Sequence, residues 1–453
     1  MNIVLLNPPY SYKVVREGRC QHETAIWDSV YPPLSLATIA SFLRDHHRVK
    51  IIDAIAASMD VQALDRALKE FPPHLIISSV STPTIREDLR VLKHLRERTG
   101  ARIAIFGVHA TYFADELIRE DYLDFVLLND PEFPAVAIAS GSLSNLEGVV
   151  YKDNGRPVRV PSNLKRRTSF RIPAWDLVDL KKYKIPIKRK SYVLMSTARG
   201  CPFDCSFCVV PYYNGKKVRY REIPEVIEEL KAVAAYVDEV FFYTDLFTFK
   251  KEYVLELCDR MVREKLDLHW SCNSRVDTFD RDMAVAMKKA GCWMVSFGIE
   301  SGNQKILDLC GKKITLPQSK SAVATAREAG LISIGHFVLG FPGETAETVW
   351  QTLRFSRDIN PDFVEFYIAT PFPGSRLFDE IKNDLVVDWT DIRYDFDPYH
   401  YPFDLVKLRK RAYFQFYLRP AKIWSFIRLF GVHRIAAMSV SAARFLQSFL
   451  IKK

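Results

Sequence analysis

The sequence predicts an α/β protein in two parallel-stranded halves: a Rossmann-like sheet domain, then a partial (β/α)6 barrel of the TIM type, then a helical C-terminal tail. Three observations predict it. Short β-branched runs alternate with helical patterns over residues 1–150, the mark of a parallel, doubly wound sheet. The alternation resumes at Ser191 and continues through six further βα units, which suits a partial barrel whose chemistry lies at the strand C-termini. The 453 residues exceed what one hydrophobic core usually serves.

In the first half, strands are expected at 2–6, 49–53, 75–80, 102–107 and 125–128, with helices such as 34–44 and 86–98 between them. Ligands of such sheets sit at the carboxyl ends of the strands. Those ends read Asn7-Pro8-Pro9, Asp53-Ala54, Ser79-Val80-Ser81, Gly107-Val108-His109 and Asn129-Asp130. Residues 151–190 hold 13 Lys+Arg against 3 Asp+Glu, show no period and contain the turn-like YKDNGRPV; they read as a basic linker. The barrel is expected over 191–375. Its strands fall at 192–198, 240–243, 270–275, 294–299, 332–339 and 363–369, and its helices at 224–236, 250–263, 281–290, 316–329 and 346–357. Residues 376–453 form the C-terminal helical region.

Composition narrows the class. The chain is 48% hydrophobic and 13% aromatic without a low-complexity tract, as a folded protein should be. No run of about 18 apolar residues predicts a membrane span. MNIVLLNPPY has no basic n-region and reads as a first strand rather than a signal peptide; a cytoplasmic setting is expected. The net charge of +10 concentrates in the linker and in the tail, where 6 Lys+Arg and no acid follow Pro420. Base-rich stretches of this kind are usually solvated faces, so a nucleic-acid partner is not favoured.

Of eight cysteines, three lie within RGCPFDCSFCVV. In a reducing compartment, clustered cysteine signals metal or redox chemistry. Cys201, Cys205 and Cys208 suit three corners of a [4Fe–4S] cube, leaving the fourth iron open to hold a further ligand. The other reading is a closed zinc site, which needs a fourth ligand such as Cys272 or His269. Cys258, Cys272, Cys292 and Cys310 read as buried small hydrophobes.

The CxxxCxxC spacing, with Phe207 before the last cysteine, resembles the radical S-adenosylmethionine (SAM) superfamily. Further matches follow in order over about residues 190–375: FYTDLFTF, WSCNSRVD, SFGIESGNQKIL, HFVLGFPGET and TPFPGSRLFDE. The resemblance implies a cluster on Cys201, Cys205 and Cys208. It also implies a SAM site built from Phe207, Asp245, Asn273, Arg275, Glu300, Ser301, Val338 and Gly340. Asp245 would meet the amino group, Glu300 and Ser301 the carboxylate or ribose, and Val338 and Gly340 the adenine. The implied reaction is reductive cleavage of SAM to a 5′-deoxyadenosyl radical that abstracts hydrogen from a small-molecule substrate. A flavodoxin or ferredoxin type of donor would supply the electron.

The first domain resembles that of the cobalamin-binding radical SAM proteins through NPPY, YPPLSLATIASFL and FGVHATYFADELI. This implies cobalamin (B12) near Asn7, Ser79, Gly107 and His109. The Asp-x-His-x-x-Gly signature that supplies a histidine ligand to cobalt elsewhere is absent. The group's usual Gly-Glu-Gly-Glu after the fifth strand is replaced by Asn129-Asp130-Pro131-Glu132. With cobalamin, the implied reaction is methyl transfer to an unactivated carbon. A radical cyclase, dehydratase or rearrangement enzyme that keeps the domain as scaffold is the alternative enzyme. An iron–sulfur carrier or interaction protein is the non-enzyme alternative.

The tail carries Ile423, Phe426, Ile427 and Phe430 at helical spacing, then Ile435, Met438, Ala442, Phe445, Leu446, Phe449 and Leu450, with basic flanks and Trp424. Two readings stand: helices packed on the barrel, or amphipathic helices on an anionic membrane surface, which would suit a lipid-like substrate.

Overall fold

In the computed structural model, residues 1–17, 22–23, 30–141, 146–164, 171–185, 188, 190–383 and 401–430 are described. They fall into two compact units, one of Met1–Glu23, Ser29–Asp245 and Pro371–Arg393, the other of Thr24–Asp28, Leu246–Thr370 and Tyr394–Lys453.

In the first unit, β1 (Asn2–Asn7), β2 (Arg48–Asp53), β3 (Leu75–Ser79), β4 (Arg102–Phe106) and β5 (Phe125–Leu127) run parallel in the order β2-β1-β3-β4-β5. The inner strands β1, β3 and β4 read as apolar runs because both faces are covered. On one side Val4, Leu6, Ile76, Ile103 and Ile105 pack with Leu64 and Leu68 of the helix Val61–Glu70 and with Leu92 and Leu95 of the helix Ile85–Thr99. Ile3, Leu5, Leu75, Ile77 and Ala104 pack on the other side with Leu36 and Ile39 of α1 (Leu34–Leu43) and Ile138 of the helix Glu132–Ser140. The order reverses between β1 and β3, the switch point where doubly wound sheets bind ligands. Asn7 and Ser79 end those two strands.

The stretch expected as a linker begins inside this sheet. Val149–Asp153 (β6) and Arg156–Val160 (β7) form an antiparallel hairpin that extends the edge from β5. Asn154 and Gly155 both have positive φ at its turn, as a two-residue hairpin loop requires. Beyond it, Ala174 N–H donates to Ala37 O at 2.9 Å, Arg171 reaches Ser41 O at 3.0 Å, and Trp175 and Tyr183 are buried. Much of this stretch is therefore structure built onto the first sheet. Its alternating exposed residues, arginines among them, hid the strand period.

The same unit contains β8 (Tyr192–Met195) and β9 (Glu239–Phe242), parallel neighbours linked through α2 (Ile223–Val233). Glu222 and Glu225 form a capping box at the start of α2. The helix Arg376–Ile381, expected with the C-terminal region, also belongs here: Leu377 N–H donates to Ser206 O at 2.7 Å.

The second unit carries four parallel strands in sequential order, β10 (His269–Arg275), β11 (Cys292–Glu300), β12 (Ile332–Leu339) and β13 (Phe363–Ile368). The helices Lys251–Arg263, Arg281–Lys289, Leu316–Glu328 and Ala346–Ile359 alternate with them. Asp280, Thr315 and Thr345 cap three of these helices. The last strand would expose an open edge. Two tyrosines of α3 (Leu405–Tyr417) close it. Tyr417 Oη accepts from Val364 N–H at 3.0 Å and donates to Val364 O at 2.8 Å, and Tyr413 pairs likewise with Phe366 at 3.0 and 3.3 Å.

Part of the tail follows the packed reading. In α4 (Pro420–Phe430), Phe426 stacks on Phe363 at 5.2 Å and Lys422 donates to Pro361 O at 2.6 Å. The second apolar set, from Ile435 to Leu450, lies outside the described residues. Among the described residues no helix is long and apolar enough to cross a membrane.

Gly107 is the tightest point of the first sheet's ligand edge. Its φ is +131°, and a Cβ there would stand 2.4 Å from Val80 O. Gly107→Ala is expected to cost about 3 kcal/mol or more. Gly100→Ala, at φ +66° with open space around it, should cost only about 1–2 kcal/mol. Urea unfolding of the two variants checks the difference.

Candidate functional site

The three cysteines lie on a loop whose two stems are held before the first thiol. Ala198–Arg199 pairs antiparallel with Arg219–Tyr220. Gly200 then turns at φ +102°, passing so near Lys217 O that a Cβ would stand 2.3 Å from it. Only glycine fits. Cys201 N–H donates to Gly215 O at 3.0 Å, and Cys208 N–H to Cys205 O at 3.1 Å. Asp245, just beyond β9, accepts from Gly200 N–H at 2.9 Å and from Asn214 Nδ2 at 2.7 Å through one carboxylate oxygen. Its visible work is to tie the loop's stems.

Cys201 is buried, whereas Cys205, Phe207 and Cys208 are partly exposed. Among the described residues no three His, Cys, Asp or Glu side chains stand at metal-ligand spacing. The three thiols share one loop, and a bound metal would complete the site. As a donor set they suit a thiolate-bound cluster. Elsewhere, burial pushes the thiols of Cys258 and Cys272 up, which keeps them protonated and inert.

Beside the loop lies a buried ion group. Arg199 donates to Asp130 Oδ1 at 2.8 Å and Glu132 Oε1 at 2.6 Å. Arg219 donates to Asp130 Oδ2 at 2.6 Å and Asn214 O at 3.2 Å. Burial raises the Glu132 carboxyl, while for Asp130 the two guanidiniums outweigh burial and hold it below the usual carboxylate range. A cavity of about 90 Å³ opens here, lined by Glu17, Ser35, Asn129, Glu132, Arg199 and Asp245 among others. Glu17 accepts from Ser35 N–H at 3.2 Å and Ser35 Oγ at 2.8 Å; burial raises its pKa to about 7.

At the strand ends of the first domain, Asn7 donates to Asp53 Oδ2 at 3.1 Å and accepts from the Ser79 hydroxyl. Tyr183 donates to the same Asp53 oxygen at 2.8 Å. His109 is wholly buried, its Nδ1 3.1 Å from Thr82 Oγ1 and its ring 4.9 Å from Phe113. Burial lowers its pKa to about 3, so the imidazole is neutral.

In the second unit, register sets which residues share a face. Asn273 pairs with Ser296, Arg275 with Gly298, and Gly298 with His336, so Asn273, Arg275, His336 and Val338 face the same way. Arg275 donates to Asp277 at 2.9 Å and to Lys312 O at 2.9 Å. Glu300 stands at φ +66° beyond an irregularity in β11 and pairs with the Lys312 ammonium at 2.6 Å. A Cβ on Gly298 would lie 2.6 Å from Glu300 Oε1 and 2.9 Å from Lys312 Nζ, so that pair occupies space a side chain would take. Ser301 bonds Thr352 Oγ1 at 3.1 Å and accepts from Asn303 N–H at 3.1 Å. Gly340 turns at φ +88°, its N–H donated to Glu344.

Two family models match, the radical SAM superfamily over residues 195–356 and the B12 binding domain over residues 27–138. An uncharacterized methyltransferase of Pyrococcus horikoshii is 34% identical over 442 residues, covering 93% of each chain. The chain belongs to the radical SAM superfamily and carries a B12-binding domain. An anaerobic magnesium-protoporphyrin IX monomethyl ester cyclase of Rubrivivax gelatinosus is 26% identical over 83% of this chain and 70% of its own. The structure of the radical SAM methyltransferase TsrM from Kitasatospora setae, with cobalamin and [4Fe-4S] cluster bound, matches at TM-score 0.67 and 19% identity, covering 84% of this chain and 74% of that one; the likeness is one of fold.

In this radical SAM enzyme, several site-side residues escaped sequence reasoning. Lys312 carries no motif, and Arg199, Arg219 and Glu17 pair with partners far along the chain. The departure at Asn129–Glu132 was the available signal for the ion group. Glu17 gives a pH test. Its folded pKa of about 7 exceeds the ordinary glutamate value of 4.5, so the stability it confers when protonated is lost as pH rises from about 4.5 through 7. Glu17→Gln should remove about 3 kcal/mol of that decline, read by urea unfolding at pH 4.5 and pH 8.

Proposed function

We propose that this radical SAM enzyme transfers a methyl group to an unactivated carbon of a small-molecule substrate. The observation that carries the proposal is one chain joining the framed three-cysteine loop to a B12-binding domain, with a relative named a methyltransferase matching along nearly its whole length. When bound, the cluster would supply the electron that cleaves SAM, and cobalamin the methyl group.

The chain's own residues have definable tasks. Cys201, Cys205 and Cys208 would hold the cluster, with Asp245 and Gly200 fixing where the loop begins. Phe207, Asn273, Arg275, Glu300, Ser301, Val338 and Gly340 would form the SAM side. Lys312 orients Glu300, and Thr352 orients Ser301. Asn7, Ser79 and Gly107 would face cobalamin at the switch point. His109, enclosed and neutral, would support that edge from within. An external donor of the flavodoxin or ferredoxin type would deliver the electron.

Anaerobic reconstitution with iron, sulfide, SAM and hydroxocobalamin tests the reading. The full chain should retain hydroxocobalamin on dialysis and release 5′-deoxyadenosine with a strong reductant. Replacing all three loop cysteines with Ala should abolish the cluster absorbance, while Cys258→Ala should not. Glu300→Ala should weaken SAM binding roughly tenfold or more and leave the cluster intact. A substrate product altered without methyl gain would instead favour a cyclase, as the Rubrivivax relative is named.

The finer partner reading is a peripheral lipid contact through α4, where Ile423 and Trp424 are exposed at 42% and 67% beside the exposed Arg428. Such a surface suits anionic headgroups. The full chain should pellet with phosphatidylserine-containing liposomes at low salt more than a chain ending at Pro420; equal pelleting removes the tail as anchor.

A further inference from the structure

We infer that Asp130 and Arg219 are positioning residues that set the charge at the base of the cluster loop and thereby the reduction potential of the cluster it carries. The inference rests on the cluster reading of Cys201, Cys205 and Cys208.

The geometry is specific. The turn after β5 puts Asp130 between two guanidiniums, with Asp130 8% exposed and Glu132 1% exposed. Arg199 and Arg219 face one another across the short antiparallel pair, and Asp130 accepts from both, at 2.8 and 2.6 Å. Arg199 precedes Cys201 by two residues, so its backbone lies within about 7 Å of that cysteine's. Arg219 also holds Asn214 O, and the next residue, Gly215, accepts from Cys201 N–H. Asn129 adds a tie to the same segment, its Nδ2 donating to Tyr213 O at 2.7 Å. One carboxylate thus grips both stems of the loop.

Two cations and two carboxylates balance inside a buried site. A lone charge there acts at low effective dielectric and reaches further than a surface charge would. Net charge near an iron–sulfur cluster is one of the protein's levers on its potential. Removing the Asp130 charge leaves the group one unit positive, which favours the reduced cluster. Removing Arg219 leaves it one unit negative, which disfavours reduction. A residue that merely braced the loop would not give shifts of opposite sign.

The test uses the full chain, reconstituted anaerobically. Iron analysis and electron paramagnetic resonance first establish the cluster in the parent protein and each variant. Midpoint potentials are then read by spectroelectrochemical titration. Asp130→Asn should move the potential positive, Arg219→Gln should move it negative, and the double variant should return close to the parent value. Unchanged potentials, or shifts of the same sign in both single variants, overturn the inference while leaving the cluster reading intact. If Asp130→Asn does not accumulate, Arg219→Gln alone decides: a negative shift supports the inference and no shift overturns it. A parent protein that takes up no iron overturns the cluster reading itself, and the inference with it.

Discussion

Three thiols must be presented from one short loop whose ends are already fixed, and much of the first unit answers that constraint. A loop free to wander would lose conformational entropy when metal arrived. Here the entropy is spent in folding. Gly200 lets the backbone pass the Lys217 carbonyl, Gly215 O holds the Cys201 amide, and Asp245 joins Gly200 to Asn214. The segment between these ties keeps partly exposed thiols, which leaves room to adapt to an incoming metal.

The ion group beside the loop shows why charged residues tolerate burial there. Desolvating four charges is costly, and a pair left incomplete would be strongly destabilising. Asp130 uses both oxygens, Oδ2 toward Arg219 and Oδ1 toward Arg199 and, at 3.3 Å, Arg219 again, and Glu132 takes a further contact from Arg199. A Gly-Glu-Gly-Glu turn would carry acids at the same two positions, but on a backbone with more freedom to lose on folding. Asn-Asp-Pro-Glu keeps both acids and replaces the two glycines with residues of narrower backbone range.

Legibility followed the range of the forces involved. Most of the parallel strands could be read because burial on both faces makes them compact β-branched runs, as in Asn2–Asn7, Leu75–Ser79 and Arg102–Phe106. The 156–160 strand could not, since Arg156, Pro157 and Arg159 are exposed and blur the period. The cysteine loop was visible from spacing alone. Its restraints were not, because Arg199 and Asp130 are 69 residues apart, and no local pattern records such a pair. Lys312 was hidden for a related reason: a lysine in a Gly-Lys-Lys turn looks solvated, yet it is 6% exposed and folded back onto Glu300.

That last pair bears on how the second unit would recognise a zwitterionic ligand. Glu300 stands at a left-handed backbone with the Lys312 ammonium on one oxygen, and the absent Cβ of Gly298 leaves room for that pair. A carboxylate oriented in this way needs little reorganisation when a ligand hydroxyl or amine arrives. Removing Lys312 would leave the same carboxylate chemically present but free to rotate. If Glu300 meets the ligand as proposed, its geometry is set by Lys312 and Gly298. A motif containing only Glu300 records the carboxylate and misses the ammonium paired with it.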